Sequence, residues 1–71
     1  MSVPIDAAQL KRLRLRRVIS RPQLAQRAGL AYSTLANIET GFTTHARPET
    51  VQKLARALRV KPEALVDLEK L

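Results

Sequence analysis

Residues 20–41, S-R-P-Q-L-A-Q-R-A-G-L-A-Y-S-T-L-A-N-I-E-T-G, predict two short helices separated by one glycine. Ser20 followed by Gln23 is a capping-box pattern, in which the Ser hydroxyl accepts from the Gln amide and the Gln side chain accepts from the Ser amide. Pro22 suits the first helical turn, where an N–H would have no intrahelical acceptor. Gly29 suits the left-handed turn that ends such a helix. We therefore expect one helix to begin at Ser20 and to end at Gly29.

The second helix is predicted over residues 32–40, and its apolar side chains recur at helical spacing. Ala25 in the first helix is the most informative position, because two helices that cross at a steep angle approach closely only where one has almost no side chain. The apolar positions that would bring the two helices together are Leu24, Ala25, Ala28, Leu30, Leu35 and Ile38.

The combination of a small residue at 25, a glycine at 29 and these apolar positions resembles the DNA-binding helix-turn-helix. The ending Ile38-Glu39-Thr40-Gly41 resembles the phage repressor and Cro-like (xenobiotic response element) family in particular. The resemblance extends from Leu10 to Leu68. It implies an all-α fold, a compact five-helix bundle like the lambda repressor DNA-binding domain. The motif alone also permits a plain helical hairpin within a small bundle.

The other predicted helices lie on both sides of this motif. Asp6 followed by Gln9 repeats the capping-box pattern, with Ile5 and Leu10 as a hydrophobic staple. Helix one should run from Asp6 or Ala7 to Arg17. A fourth helix should begin at Pro48 and a fifth should extend from Pro62 to about Glu69. The fourth helix carries an apolar stripe of Val51, Leu54, Ala55 and Leu58.

Two positions depart from the pattern of the resembling family, and several apolar residues need a place in the fold. Val18 and Arg59 stand where the resembling family has glycines. The glycine at the place of Val18 ends helix one in a left-handed conformation, which a β-branched residue disfavours. Phe42 is interpreted as a core residue in preference to a base-stacking one. Leu65, Val66, Leu68 and Leu71 cannot all face one small core, so an apolar edge forms a dimer contact or belongs to a frayed end.

Length and composition limit the class of protein. The 71 residues predict one domain, residues 1–71, with a modest core and a stability of about 3–5 kcal/mol. There is no cysteine, which excludes disulfides and thiolate metal sites. No apolar run reaches the roughly 18 residues of a membrane span, and the N-terminus lacks the order of a signal peptide. We expect a cytoplasmic protein of a bacterium or a phage-infected cell, with no segment left for a separate effector domain.

The charge is strongly positive and unevenly distributed. A net charge of +7 on so short a chain favours a polyanionic partner, either nucleic acid or an anionic membrane surface. The helix-turn-helix pattern favours nucleic acid over a membrane, and double-stranded DNA in particular. Most of the excess precedes the second motif helix, where Asp6 is the only acidic residue and the basic ones are Lys11, Arg12, Arg14, Arg16, Arg17, Arg21 and Arg27.

Arg14 and Glu39 lie on the apolar sides of their helices, which is unusual for charged residues. In the resembling family an Arg and a Glu at these places form a partly buried salt bridge. The resemblance therefore implies a structural ion pair between them, while the alternative is two unrelated surface residues.

The resemblance also implies the residues that would contact DNA. Tyr32, Ser33 and Asn37 match the positions that touch base edges in the major groove, and Asn37 can pair bidentately with adenine. Donors around them would contact phosphates, and Arg47, in the loop at 42–47, could enter the minor groove. The predicted backbone contacts are Arg21, Gln23, Thr34, Thr40, Thr43, Thr44, His45 and Arg47.

These features predict a sequence-specific, double-stranded DNA-binding transcriptional regulator, either a small repressor or a Cro-like protein. A DNA-binding antitoxin that binds a toxin protein is an alternative, and a non-specific basic module for nucleic acid is another. A homodimer could form through the C-terminal helix or on DNA. We expect no enzyme, cofactor, metal or small-molecule ligand, because one His, no Cys and no Gly-rich phosphate loop offer no catalytic set.

Overall fold

The computed structural model describes residues 1–71 and has four α-helices where five were predicted. They are α1 (Ala7–Arg16), α2 (Arg21–Ala28), α3 (Tyr32–Glu39) and α4 (Pro48–Leu58). Two short strands, β1 (Val3–Pro4) and β2 (His45–Ala46), pair antiparallel. Two 3-10 turns follow α4, at Pro62–Ala64 and Leu68–Lys70. The longest helix has 11 residues, and none is long and apolar enough to cross a bilayer.

The helix-turn-helix is present with its predicted boundaries. The Ser20 hydroxyl accepts from the Gln23 amide at 3.2 Å, and the Gln23 side chain accepts from the Ser20 amide at 2.8 Å. Gly29 adopts φ 71°, a left-handed conformation that costs glycine little. The Leu30 amide then donates to the Ala25 carbonyl at 2.9 Å, which closes the end of α2. Local sequence signals therefore determine both the start and the end of α2.

The core lies where α2 packs against both α3 and α4. Ala25 is only 3 % exposed, as expected for the small residue at a close helix contact. Each helix contributes its predicted apolar face, and the N-terminal strand and the segment after α4 complete the cluster. The buried apolar residues are Ile5, Leu10, Ile19, Leu24, Ala25, Ala28, Leu35, Ile38, Ala46, Val51, Leu54, Ala55, Leu58 and Leu65.

The predicted fifth helix is wrong. Leu65 is fully buried as expected, but its carbonyl accepts from the Asp6 amide at 2.8 Å. The Asp67 amide donates to the Pro4 carbonyl at 3.0 Å, and Val66 forms a bridge with Ile5. Backbone groups that pair with the N-terminal segment are not available for i to i−4 bonds, so only 3-10 turns remain.

The all-α class is confirmed, but the loop between α3 and α4 also contains a short strand that the sequence did not indicate. Val3 pairs with Ala46 and Pro4 with His45, and the Ile5 amide donates to the Thr44 carbonyl at 3.0 Å. The N-terminal segment thus bonds to this loop along one side and to residues 65–67 along the other. Two-residue strands contain no alternation that a sequence pattern could reveal.

The capping box predicted for α1 is half formed. The Asp6 carboxylate accepts from the Gln9 amide at 3.0 Å. The Gln9 side chain does not return to Asp6, because it accepts from Arg12 at 2.7 Å and the Asp6 amide already donates to Leu65. The reciprocal bond is thus replaced by a contact between distant parts of the chain.

Phe42 is not a core residue, because 83 % of it is exposed. Gly41 adopts φ 83°, and the Thr43 amide returns to the Asn37 carbonyl at 2.9 Å. This tight turn leaves Phe42 on the outside of the chain. Leu68 and Leu71 are also exposed, at 61 % and 73 %, so the predicted apolar edge exists near the C-terminus.

Val18 and Arg59 both adopt left-handed conformations, with φ 55° and 58°. A left-handed residue other than glycine is strained, and the strain is greatest for a β-branched side chain. Val18 is 87 % exposed and therefore contributes little packing in return. The surrounding residues thus hold Val18 in a backbone conformation that valine disfavours.

Replacing Val18 by glycine should therefore raise the free energy of unfolding by about 1 kcal/mol, since relief of the left-handed strain exceeds the added flexibility of the unfolded chain. Urea denaturation followed by circular dichroism at 222 nm measures the change. Val18→Ala is the matched control, because it retains a Cβ and should gain much less. Equal stability of the two variants would contradict the strain at this turn.

Candidate nucleic-acid interface

The face of α3 that lies opposite its packed side carries the three predicted base-reading residues. Leu35, Ile38 and Glu39 are buried against the rest of the protein. Tyr32 is 50 % exposed, and Ser33 and Asn37 are also exposed. Ser33 and Asn37 are four residues apart, so they project from the same side of the helix. The arrangement offers a set of polar side chains on a short, firmly packed helix.

The structure contains the ion pair predicted from the sequence, and its geometry is bidentate. Arg14 Nε and Nη2 donate to the two carboxylate oxygens of Glu39 at 2.7 and 2.9 Å, and Arg14 Nη1 donates to the Ile19 carbonyl at 2.8 Å. The Glu39 side chain is completely buried. Because planar fork-to-fork pairs have strict geometry, this contact fixes α1 and the turn after it relative to the end of α3.

Arg21 is a second partner of Glu39, which the sequence did not reveal. Its Nε lies 3.3 Å from Glu39 Oε1. Hydrogen bonding to Tyr32, followed by that to Glu39, raises the pKa of Arg21 above its ordinary value. Arginine is charged at neutral pH in any case, so this shift does not change the charge of the guanidinium there. Arg21 is thus held against α3, and its remaining N–H groups are the ones left for a phosphate.

The hydroxyl of Thr40, a predicted phosphate donor, has a hydrogen-bond partner within α3 in the free protein. It donates to the Ala36 carbonyl at 2.9 Å, a common contact for Thr at a helix end, so its hydrogen is already used. Gln23 keeps its predicted capacity, because the capping box uses its oxygen and leaves the amide NH2 group free. Thr34 is exposed on α3.

A groove of about 260 Å³ separates α3 from the following loop and gathers many of the predicted residues. Asn37 of the base-reading set lines it together with four residues of the phosphate set. Thr44 lies outside it, with its hydroxyl 3.0 Å from His45 Nδ1. Thr50 of α4 also lines the groove, and no sequence signal indicated it. The polar lining residues are Thr34, Asn37, Thr43, His45, Arg47 and Thr50.

Most of the positive charge has no carboxylate partner. Of the 13 Lys and Arg residues, only Arg14, Arg21 and Lys70 lie within 4.0 Å of a carboxylate. The others, among them Arg47 beside the groove, present uncompensated charge to the solvent. A surface of this kind attracts polyanions over distances of about a Debye length, near 8 Å at physiological salt.

Comparison with known proteins gives one family and several relatives. Residues 7–68 match the family described as "Helix-turn-helix domain". The chain is 38 % identical over 58 residues to the uncharacterised HTH-type transcriptional regulator RghRB of Bacillus subtilis (strain 168). This similarity covers 82 % of the chain and 42 % of RghRB, so the chain spans less than half the length of that relative.

Two solved structures are similar in fold over most of the chain. The restriction-modification controller protein C.AhdI from Aeromonas hydrophila has a TM-score of 0.77 and 29 % identity, covering 82 % of the chain and 86 % of its own. SinR of Bacillus subtilis, a master regulator for biofilm formation, was solved in complex with DNA. It has a TM-score of 0.80 and 27 % identity, covering 83 % of the chain and 97 % of its own. Both are similar to the chain well beyond the helix-turn-helix itself.

Proposed function

Because the chain belongs to the helix-turn-helix domain family, we propose that it is a sequence-specific, double-stranded DNA-binding transcriptional regulator. It acts as a small repressor or Cro-like protein, in the bacterial cytoplasm, with residues 1–71 as one binding domain. The observation that carries the proposal is the exposure of Tyr32, Ser33 and Asn37 on the outer face of α3. SinR, a relative of the same fold, binds DNA, which supports the choice of partner.

In this proposal α3 enters the major groove, which is wide enough for an α-helix and presents a distinct pattern for each base pair. Asn37 makes the most discriminating contact, because its amide matches the donor and acceptor of adenine. Ser33 donates or accepts and discriminates less. Tyr32 is half exposed, so its hydroxyl is available to a base or a phosphate.

Phosphates on both sides of the groove would be bound by donors that surround α3. Arg21 and the side-chain amide of Gln23 lie at the start of α2, where the positive end of the helix dipole adds to their attraction for a phosphate. Thr43, His45 and Arg47 act from the loop, and Thr34 acts from α3 itself. Such contacts set affinity and register and carry no sequence information directly.

Selection from a library of random duplexes tests the proposal. The purified chain should enrich one sequence and should keep it in the presence of excess unrelated duplex, because specific sites bind about 10³-fold or more tighter than random DNA. Equal retention on unrelated duplex would favour the non-specific basic module. A stable complex with a protein partner from the native host, in place of a DNA site, would favour the antitoxin.

Replacing Arg21 by alanine should weaken binding to all duplexes alike and reduce the slope of log affinity against log salt by about 0.9, the value for one phosphate. Arg14 continues to neutralise Glu39 in this variant, so the fold should remain. Binding titrations between 50 and 200 mM salt, an interval over which phosphate contacts change affinity steeply, measure the slope.

Lys53→Ala is the matched control for Arg21→Ala, because Lys53 is an exposed cation on α4. It should leave the salt slope unchanged. A loss at Arg21 confined to particular base pairs would show that this residue reads bases and does not bind phosphate.

Pairing of two copies is proposed for the DNA-bound form, since repressors of this kind read two half-sites whose spacing mirrors their own symmetry. The exposed Leu68 and Leu71 near the C-terminus offer an apolar contact for a second copy. Sedimentation of the protein with and without its selected duplex distinguishes a dimer in solution from one that forms on DNA.

A further inference from the structure

We propose that Phe42 contacts the methyl group of a thymine that lies next to the base pair read by Asn37. This inference rests on the proposed function, because it requires α3 to lie in the major groove. It assigns a role in sequence choice to a residue whose burial in the core is ruled out by the structure.

Phe42 lies beside the reading helix and is tied to it through the backbone. The Thr43 amide donates to the Asn37 carbonyl at 2.9 Å, so the chain folds back onto α3 directly after Phe42. Gly41, with φ 83°, makes this return possible. The backbone at Phe42 is therefore held next to the C-terminal end of the helix that carries Asn37.

The turn that presents Phe42 is held at its far end as well. The Thr44 carbonyl accepts from the Ile5 amide at 3.0 Å, and His45 and Ala46 pair with the N-terminal strand. A ring on a constrained backbone has only two side-chain torsions left to order when it binds. Phe42 is 83 % exposed, so the free protein leaves a large apolar area in contact with water. Covering that area with a partner is favourable.

The charge around Phe42 favours DNA as that partner. Residues 40–48 contain no acidic side chain, and His45 and Arg47 follow the ring in the same loop. In the major groove the principal apolar group on a base edge is the thymine C5 methyl, and Phe is one of the side chains that contact it. Asn37 prefers adenine, so the two residues together would favour a step of A·T pairs.

The decisive experiment removes the methyl group from the DNA. Each thymine of the selected duplex is replaced in turn by uracil, which keeps every hydrogen bond of the base pair. Wild-type protein should lose roughly fourfold in affinity at one thymine, the factor for one methyl-sized group withdrawn from contact. Phe42→Ala should lose a similar factor on the unmodified duplex and should be insensitive to uracil at that thymine. The two changes would then be non-additive, as expected for groups in contact.

Two further variants make the result specific. Phe42→Leu keeps an apolar side chain and should retain part of the sensitivity to uracil. Leu15→Ala removes another exposed apolar side chain, on α1, and should bind like the wild type.

Unchanged affinity of Phe42→Ala would overturn the proposal. A lower affinity with the wild-type uracil profile would also overturn it, because the ring would then contact a sugar or a second protein copy. Failure of the wild-type protein to select any duplex would reject the proposed function itself, and the thymine contact with it.

Discussion

Replacing Glu39 by alanine should lower the free energy of unfolding by about 3–5 kcal/mol, because it strands the buried guanidinium of Arg14. Arg14 is only 7 % exposed and would keep the Ile19 carbonyl as its single acceptor. A domain of this size has a total stability of about the same magnitude. We therefore expect the variant to be largely unfolded at room temperature, as judged by far-ultraviolet circular dichroism.

A double variant separates the loss of one partner from the value of the pair. Arg14→Leu combined with Glu39→Leu removes both charges and should recover most of the lost stability, since apolar replacements of buried ion pairs are often neutral. Glu49→Ala, an exposed acidic residue in the first turn of α4, is the control and should cost less than about 1 kcal/mol. If Glu39→Ala costs no more than this control, the buried pair does not hold α1 to α3.

Replacing Asn37 by alanine should reduce discrimination at one or two base pairs by about 1–3 kcal/mol, which is roughly 5- to 150-fold. The side chain is exposed and alanine favours the helix, so the fold should not suffer. Affinities for all single-base variants of the selected duplex, measured in competition, give the profile. Affinity for unrelated duplex should stay as it is in the wild type, because the phosphate contacts are untouched.

Ser33→Ala provides the comparison on the same face of α3. A hydroxyl discriminates less than a bidentate amide, so its effect should be smaller and at a different base pair. If Asn37→Ala weakened every duplex by the same factor, the assignment of Asn37 as a base reader would be wrong.

The parts of the fold that were predictable depend on neighbours in the sequence. The capping residues Ser20 and Gln23 and the turn residue Gly29 act within a few positions, so their pattern alone located α2. Helical periodicity then separated the buried side of α3, with Leu35 and Ile38, from its exposed side. The ion pair between Arg14 and Glu39 spans distant positions, and only the resemblance to a family made it predictable.

The parts that were wrong depend on contacts between distant segments. Residues 62–69 begin with a proline and an acid, as a helix does, but hydrogen bonds with the N-terminal segment override that preference. An apolar type suggested burial for Phe42, although folded proteins expose many apolar side chains. Two further contacts were simply not predicted: the hydrogen bond of the Thr40 hydroxyl and the contact of Arg21 with Glu39. Both depend on side-chain positions that no sequence spacing specifies.

The paired strands β1 and β2 imply an order of events when the chain folds. The helix-turn-helix forms through contacts between residues close in sequence, which form quickly, whereas α4 reaches α2 across α3 and the loop that follows it. The N-terminal strand can dock only after the loop at Thr44 and the segment at Leu65 have both reached their places, because its amides bond to each. We therefore expect the backbone amides of Ile5 and Asp6 to gain protection from hydrogen exchange later than those of α2, which pulse labelling during refolding measures.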